Sequence, residues 1–166
     1  MQNKFYTEQT QDNCLDLKQF KLDQVYLKMS KIWAENSRCN RNKVGCLVVK
    51  DKTIIADGFN GTPSGFENEC EEAVCNEDGS FKEYKTKWYV LHAESNALAK
   101  VAKSTQSSEG ATLYITYSPC TECSKLILQA GIKRVVYLEE YRDTNGLEFL
   151  RRAGVEIKKI SLDNDQ

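Results

Sequence analysis

The residues of this chain best suited to chemistry are His92 and Glu94, in His92-Ala93-Glu94, and the two thiols of Pro119-Cys120-Thr121-Glu122-Cys123. One imidazole and two thiolates fill three positions of a tetrahedral zinc and leave the fourth for water. A zinc-bound water loses its proton near pH ~7 rather than ~15.7, which gives a hydroxide nucleophile at neutral pH. Glu94 lies two residues from His92, about 200° around an ideal helix, so a shared metal bond is awkward for it. Its carboxylate is better placed to move protons between that water and a substrate. His92 is the only histidine in the chain, so one chain cannot build a three-histidine or a two-histidine carboxylate site. Each motif alone has a plainer explanation: a surface His-x-Glu, a structural zinc knuckle, a redox thiol pair. The redox pair gives His92 and Glu94 no task. Both motifs together favour the open zinc site.

Cys120 and Cys123 are three residues apart at the expected start of a helix, so their sulfurs face the same way. Pro119 suits that entry, and the helix dipole favours thiolates there. His92 opens another helix, over residues 91–103. Two helix starts beside strand ends meet at one rim of a sheet, where open α/β sheets bind ligands.

The remaining pattern supplies that sheet. Within residues 18–37, Leu22, Val25, Met29, Ile32 and Trp33 recur at helical spacing and predict an amphipathic helix. Residues 44–50 and 53–59 are β-rich runs flanking Asp51-Lys52, a hairpin signal without the usual glycine. Asn60-Gly61-Thr62-Pro63-Ser64-Gly65 breaks both periodicities and reads as a loop. Strands over 111–117, 133–138 and 155–160 alternate with helices over 120–130 and 144–153, the last closed by Gly154. That alternation implies parallel strands with crossover helices. With the hairpin it predicts an α/β fold, a five-stranded mixed sheet between helical layers. Residues 61–89 form a long acidic stretch with few apolar residues, of the kind that is functional, disordered or pinned.

At 166 residues the chain reads as one domain, 18–166, behind a polar leader over 1–17. Apolar content of 40% and charged content of 28% are those of a globular protein. A net charge of −1 argues against a large basic face for polymeric nucleic acid. No apolar run approaches the ~20 residues of a membrane span, and the polar N-terminus lacks a signal-peptide core. The expected compartment is the cytoplasm, whose reducing conditions leave seven cysteines without disulfides. Cys46, within VGCLVV, reads as a small buried hydrophobe, and Cys14 has no assigned role.

The stretches SRCNRNKVGCLVVKDKTIIADGFNGTPSGFENEC, VLHAESNALAK and GATLYITYSPCTECSKLILQAGIKRVVYLEEYR resemble the deoxycytidylate (dCMP) deaminases, over about residues 25–160. The zinc motifs are shared by zinc nucleobase deaminases at large. More specific is Gly58-Phe59-Asn60-Gly61-Thr62-Pro63 together with Arg41-Asn42-Lys43-Val44-Gly45. The resemblance implies a cytidine-deaminase-like three-layer α/β/α fold. It also implies hydrolysis of dCMP to dUMP and ammonia, feeding thymidylate synthesis, with Glu94 catalytic and His92, Cys120 and Cys123 holding the catalytic Zn2+.

A nucleoside monophosphate carries about two negative charges, which favours forked guanidinium contacts. By analogy with the family, Arg41, Tyr141 and Arg142 are candidates for the 5′-phosphate, Asn60 for the sugar, and the backbone at Ala93 and Ser118 for the cytosine edge. The resemblance further implies a homo-oligomer, hexameric in many relatives. It implies dCTP and dTTP as effectors, with Mg2+ accompanying the triphosphates, near Asn60, Gly61 and Gly65. Phe59 stands where the family usually has tyrosine. Some relatives carry a second, structural zinc, for which Cys39, Cys70 and Cys75 are candidates, with Glu71, another acid or a water as fourth ligand. The alternative there is three unligated thiols. Two other readings of the whole chain are kept. One is a deaminase of another cytosine nucleotide or nucleoside, of a base such as guanine, or of tRNA adenosine. The other is a non-enzymatic zinc module with four protein ligands.

Overall fold

The computed structural model describes residues 3–162, with side chains from Asp16 onward. Helix α1 (Asn3–Ala34) is followed by the hairpin β1 (Gly45–Lys50) and β2 (Thr53–Phe59), then by a second hairpin, β3 (Glu71–Cys75) and β4 (Phe81–Thr86). After these, α2 (Ala93–Ala102), β5 (Thr112–Tyr117), α3 (Thr121–Gln129), β6 (Arg134–Glu139), α4 (Asn145–Arg152) and β7 (Glu156–Lys159) alternate. Five strands make one sheet in the order β2-β1-β5-β6-β7. β1 is antiparallel to both neighbours, while β5, β6 and β7 run parallel. The three-layer mixed sheet expected from the sequence is the one that forms. In the β1–β2 turn, Asp51 and Lys52 adopt φ of 49° and 62°, the left-handed backbone that glycine usually supplies.

Both faces of the sheet are covered, so β1 is apolar on both. Cys46 and Val48 pack with Ala93, Ala97 and Val101 of α2, Ile127 of α3 and Leu150 of α4. Leu47 and Val49 face Tyr26 and Leu27 of α1. Cys46 is a buried free thiol, as its apolar neighbours suggested. The side chain of Cys14 lies outside the described ones. Among the described residues no helix is long and apolar enough to cross a membrane.

Helix α1 starts inside the stretch read as a leader, and it packs on a different face from the one its apolar residues suggested. Asp23, Tyr26, Leu27, Ser30 and Ala34 are buried, whereas Val25 and Ile32 are 51% and 64% exposed. The reason is the closeness of the contact. A Cβ placed on Gly45 would lie 2.2 Å from the Ser30 carbonyl oxygen and 2.6 Å from the Ala34 nitrogen. Helix and strand meet backbone to backbone, so small side chains win there over larger apolar ones. Asp23 enters the same face because it is fully partnered. Arg134 grips both carboxylate oxygens at 2.7 and 2.8 Å, and Gln19 and Tyr114 donate at 2.9 and 2.8 Å.

A second close approach sets α2. A Cβ on Gly58 of β2 would sit 2.0 Å from the Ala93 carbonyl oxygen and 2.8 Å from the Ala97 nitrogen. Gly58→Ala is expected to lower stability by about 1–3 kcal/mol or more, since backbone must move to admit the methyl. Urea denaturation checks this, with Gly61→Ala as control, whose Cβ would meet nothing closer than 4.0 Å.

The stretch over residues 61–89 is not simply a loop. It contains the β3–β4 hairpin, turning at Gly79 with φ of 83°. Cys39 and Cys70, with Cα atoms 5.0 Å apart, form a disulfide that ties the base of this arm to the segment before β1. This corrects the expectation for Cys39, Cys70 and Cys75. Two of the three sulfurs are bonded to each other, and Cys75 is exposed on β3, so no three-sulfur cluster forms. Glu71, the candidate fourth ligand, instead accepts the amides of Asn40 and Arg41 at 3.0 and 3.3 Å.

Candidate active site

Strand direction gathers four chain segments at one rim. Because β1 is antiparallel to β5, the Gly45 end of β1 and the Phe59 end of β2 lie beside the Tyr117 end of β5, which pairs with Glu139 of β6. The segments entering β1 and leaving β2, β5 and β6 therefore converge. A cavity of about 580 Å³ opens among them, closed on another side by residues 85–88 at the end of the arm.

His92 is the cap residue of α2 and Cys120 the cap residue of α3. Neither side chain caps its own helix, so both are free to face outward from the two positive helix ends. His92 Nδ1 lies 3.5 Å from Cys120 Sγ and 3.4 Å from Cys123 Sγ. A tetrahedral zinc with ordinary Zn–N and Zn–S bonds holds such atoms about 3.5 Å apart, so this trio fits zinc. Among the described residues no fourth His, Cys, Asp or Glu joins the cluster.

The three side chains are close enough to shift one another's protonation. The hydrogen bond from the Cys123 thiol, with the nearby His92, pulls the Cys120 thiol down to about 3. Cys123 is pushed up by that same bond and by burial. The bond to Cys120 also raises His92. Glu94 is 4% exposed in the first turn of α2. Burial pushes its carboxyl up to about 7, moderated by its own backbone amide and by His92. A carboxyl poised there can both take and return a proton near neutral pH.

The residues expected to hold a nucleotide are all on the cavity wall: Arg41, Asn60, Ala93, Ser118, Tyr141 and Arg142. Asn60 is already engaged, its oxygen accepting the Val44 amide and its nitrogen donating to the Asn42 carbonyl, both at 2.8 Å. It thus ties the two loops that enter β1 and leave β2. Ser118 Oγ accepts the Tyr141 amide at 2.8 Å, and the Arg142 guanidinium lies 5.6 Å from the Tyr141 ring. Arg41 donates to Thr86 Oγ1 of the arm at 3.4 Å. Gly61 pairs with Leu91, and Gly65 sits outside the cavity in a turn with φ of 91°. The arm's contribution, Lys85, Thr86, Lys87 and Trp88, was missed in the sequence. The Asp78-Gly79 dipeptide, a hairpin-turn pair, is the one local cue to it.

The model of the zinc-binding region of cytidine and deoxycytidylate deaminases matches residues 20–139. The chain is 36% identical over 142 residues to the deoxycytidylate deaminase of Saccharomyces cerevisiae, covering 84% of this chain but 45% of that one. It therefore spans less than half of the yeast protein. Against the deoxycytidylate deaminase of Enterobacteria phage T4 it is 33% identical over 172 residues, covering 83% of this chain and 89% of the phage protein. The crystal structure of dCMP deaminase from the cyanophage S-TIM5, in complex with dCMP and dUMP, matches with a TM-score of 0.75 and 48% identity. That match covers 84% of this chain and 97% of the cyanophage one.

Proposed function

For a chain that belongs to the zinc-binding cytidine and deoxycytidylate deaminase family, we propose hydrolysis of dCMP to dUMP and ammonia. The observation that carries this reading is the open trio. His92, Cys120 and Cys123 gather with no fourth protein ligand among the described residues, beside a buried carboxyl and a cavity. A zinc-binding module that served structure alone would close its metal with four side chains.

His92, Cys120 and Cys123 would hold the zinc, which would supply a water acidified to near pH ~7. Glu94 takes the proton released as water adds to C4 of the pyrimidine and places it on N3. It then takes the proton of the new C4 hydroxyl and delivers it to the amino group, so that the C4 carbonyl forms as the C4–N4 bond breaks and ammonia leaves. Backbone at Ala93 and Ser118 orients the cytosine edge, Asn60 borders the sugar, and Arg41, Tyr141 and Arg142 take the phosphate. The product dUMP suits thymidylate synthesis. We extend the reading to dCTP and dTTP control, with Mg2+, through the 60–65 loop. The exposed α1 stripe of Val25, Met29 and Ile32 supports self-association.

Steady-state kinetics on dCMP and deoxycytidine tests the substrate. kcat/KM is expected to be higher for dCMP by ~10-fold or more, the worth of one or two charge-assisted hydrogen bonds. Arg142→Ala is expected to erase most of that margin by raising KM for dCMP while leaving deoxycytidine unchanged. Equal kcat/KM on the two substrates removes the monophosphate assignment.

A further inference from the structure

Trp88 is 90% exposed, yet it lies on the wall of the cavity. A bare indole is an unusual thing to leave in water, since tryptophan offers more apolar area than any other side chain. Trp33, by contrast, donates its ring nitrogen to Asp57 at 2.8 Å. The segment carrying Trp88 is firmly held. The Val90 amide turns back onto the Lys87 carbonyl at 3.1 Å, and Leu91 and Gly61 exchange both backbone bonds at 2.8 and 3.0 Å. Tyr89 meets the indole edge to face at 5.5 Å and itself packs on Phe66 at 4.8 Å. Trp88 stands four positions before His92, so the chain places the Trp88 Cα within at most ~14 Å of the His92 Cα.

We infer that Trp88 is a positioning residue whose indole face stacks on the pyrimidine of the bound nucleotide. This rests on the reading of the site as a cytosine-nucleotide deaminase. Water adds to one face of the ring, which leaves the other face for an apolar partner. Arg41 and Arg142 can hold the phosphate but have no grip on the base. A planar aromatic at the cavity mouth supplies it, because stacking needs only a π-face. The arm's other exposed rings, Phe81 and Tyr84, pack on each other at 5.1 Å and are not on the cavity wall.

The chain has two tryptophans, so Trp33→Phe leaves Trp88 as the sole indole emitter. Titrating the zinc-loaded Trp33→Phe protein with dUMP is expected to quench its emission. Trp88→Ala is expected to raise KM for dCMP by ~10-fold or more, with kcat within about threefold, and Trp88→Phe to restore KM to within about threefold of wild type. Emission unmoved at saturating dUMP, or a KM for Trp88→Ala within about twofold of wild type, overturns the inference. So does a KM rise that comes only with a lowered thermal midpoint. Wild-type protein that turns over no dCMP overturns the parent reading as well. Wild-type turnover with an indifferent Trp88→Ala overturns this inference alone.

Discussion

Replacing Glu94 by glutamine is expected to lower kcat for dCMP by ~10⁴-fold while the protein keeps its zinc and its fold. Glutamine preserves the volume and the hydrogen-bonding reach of the side chain but can neither accept nor return the proton. At 4% exposure the Glu94 side chain is held in place on the cavity wall, so its replacement leaves the proton transfer without its positioned carboxylate. The trio loses nothing, because the metal-ligand cluster is made by His92, Cys120 and Cys123 without Glu94. The expected result is one zinc per chain by elemental analysis, an unchanged thermal midpoint, and ammonia release near background. A fully active Glu94→Gln enzyme ends the mechanism. A variant that also sheds its zinc shows that Glu94 is part of the metal sphere.

The second large effect is on stability and lies away from the site. Asp23→Ala is expected to lower the unfolding free energy by about 3–5 kcal/mol, the usual result of deleting one partner of a buried ion pair. Arg134 is left with the solvent-exposed Glu156 as its only carboxylate partner, while Tyr114 and Gln19 lose the Asp23 acceptor. The network joins α1 to β5 and β6 on the sheet face opposite α2 and α3. The folded fraction is therefore expected to keep its kcat.

Acid behaviour follows from the same carboxylate. Burial alone would raise Asp23, but Arg134, Gln19 and Tyr114 outweigh it and hold its pKa below the ordinary value. A depressed folded-state pKa gives stability that is fully present above the unfolded value of ~3.9 and lost as pH falls through the folded one. Asp23→Asn is thus expected to be less stable at neutral pH and to lose less on acidification below pH ~4. Denaturant midpoints measured across pH check both signs. An unaltered acid limb in Asp23→Asn shows that other carboxylates govern it.

The parts of this molecule legible in the sequence are those governed by local rules. Alternating strand and helix runs after residue 111 dictated a parallel half-sheet, and metal-ligand types at helix starts dictated the trio. What escaped was decided at a distance. The face of α1 depends on how closely Gly45 lets a helix approach, and apolar spacing carries no record of that. Ser30 and Ala34 look unremarkable in a helix until a strand backbone is set against them. The β3–β4 arm was hidden by its own charge. Phe81-Lys82-Glu83-Tyr84-Lys85-Thr86 is nearly all exposed, so it lacks the half-buried alternation that marks a strand. Cys39 and Cys70 are 31 apart in sequence; the family resemblance groups them, with Cys75, but nothing local tells a bond between two of the sulfurs from a shared metal.

The meeting of four segments at one sheet end has a consequence for how such a molecule can diverge. The reacting groups sit at the starts of two helices packed against the core, whereas those that would judge the incoming molecule sit on separate strand extensions and on the disulfide-tied arm. Exchanging an extension leaves the helix starts untouched. Descendants of this scaffold can trade one guest for another without reinventing the reaction, and the sheet itself need never register the change.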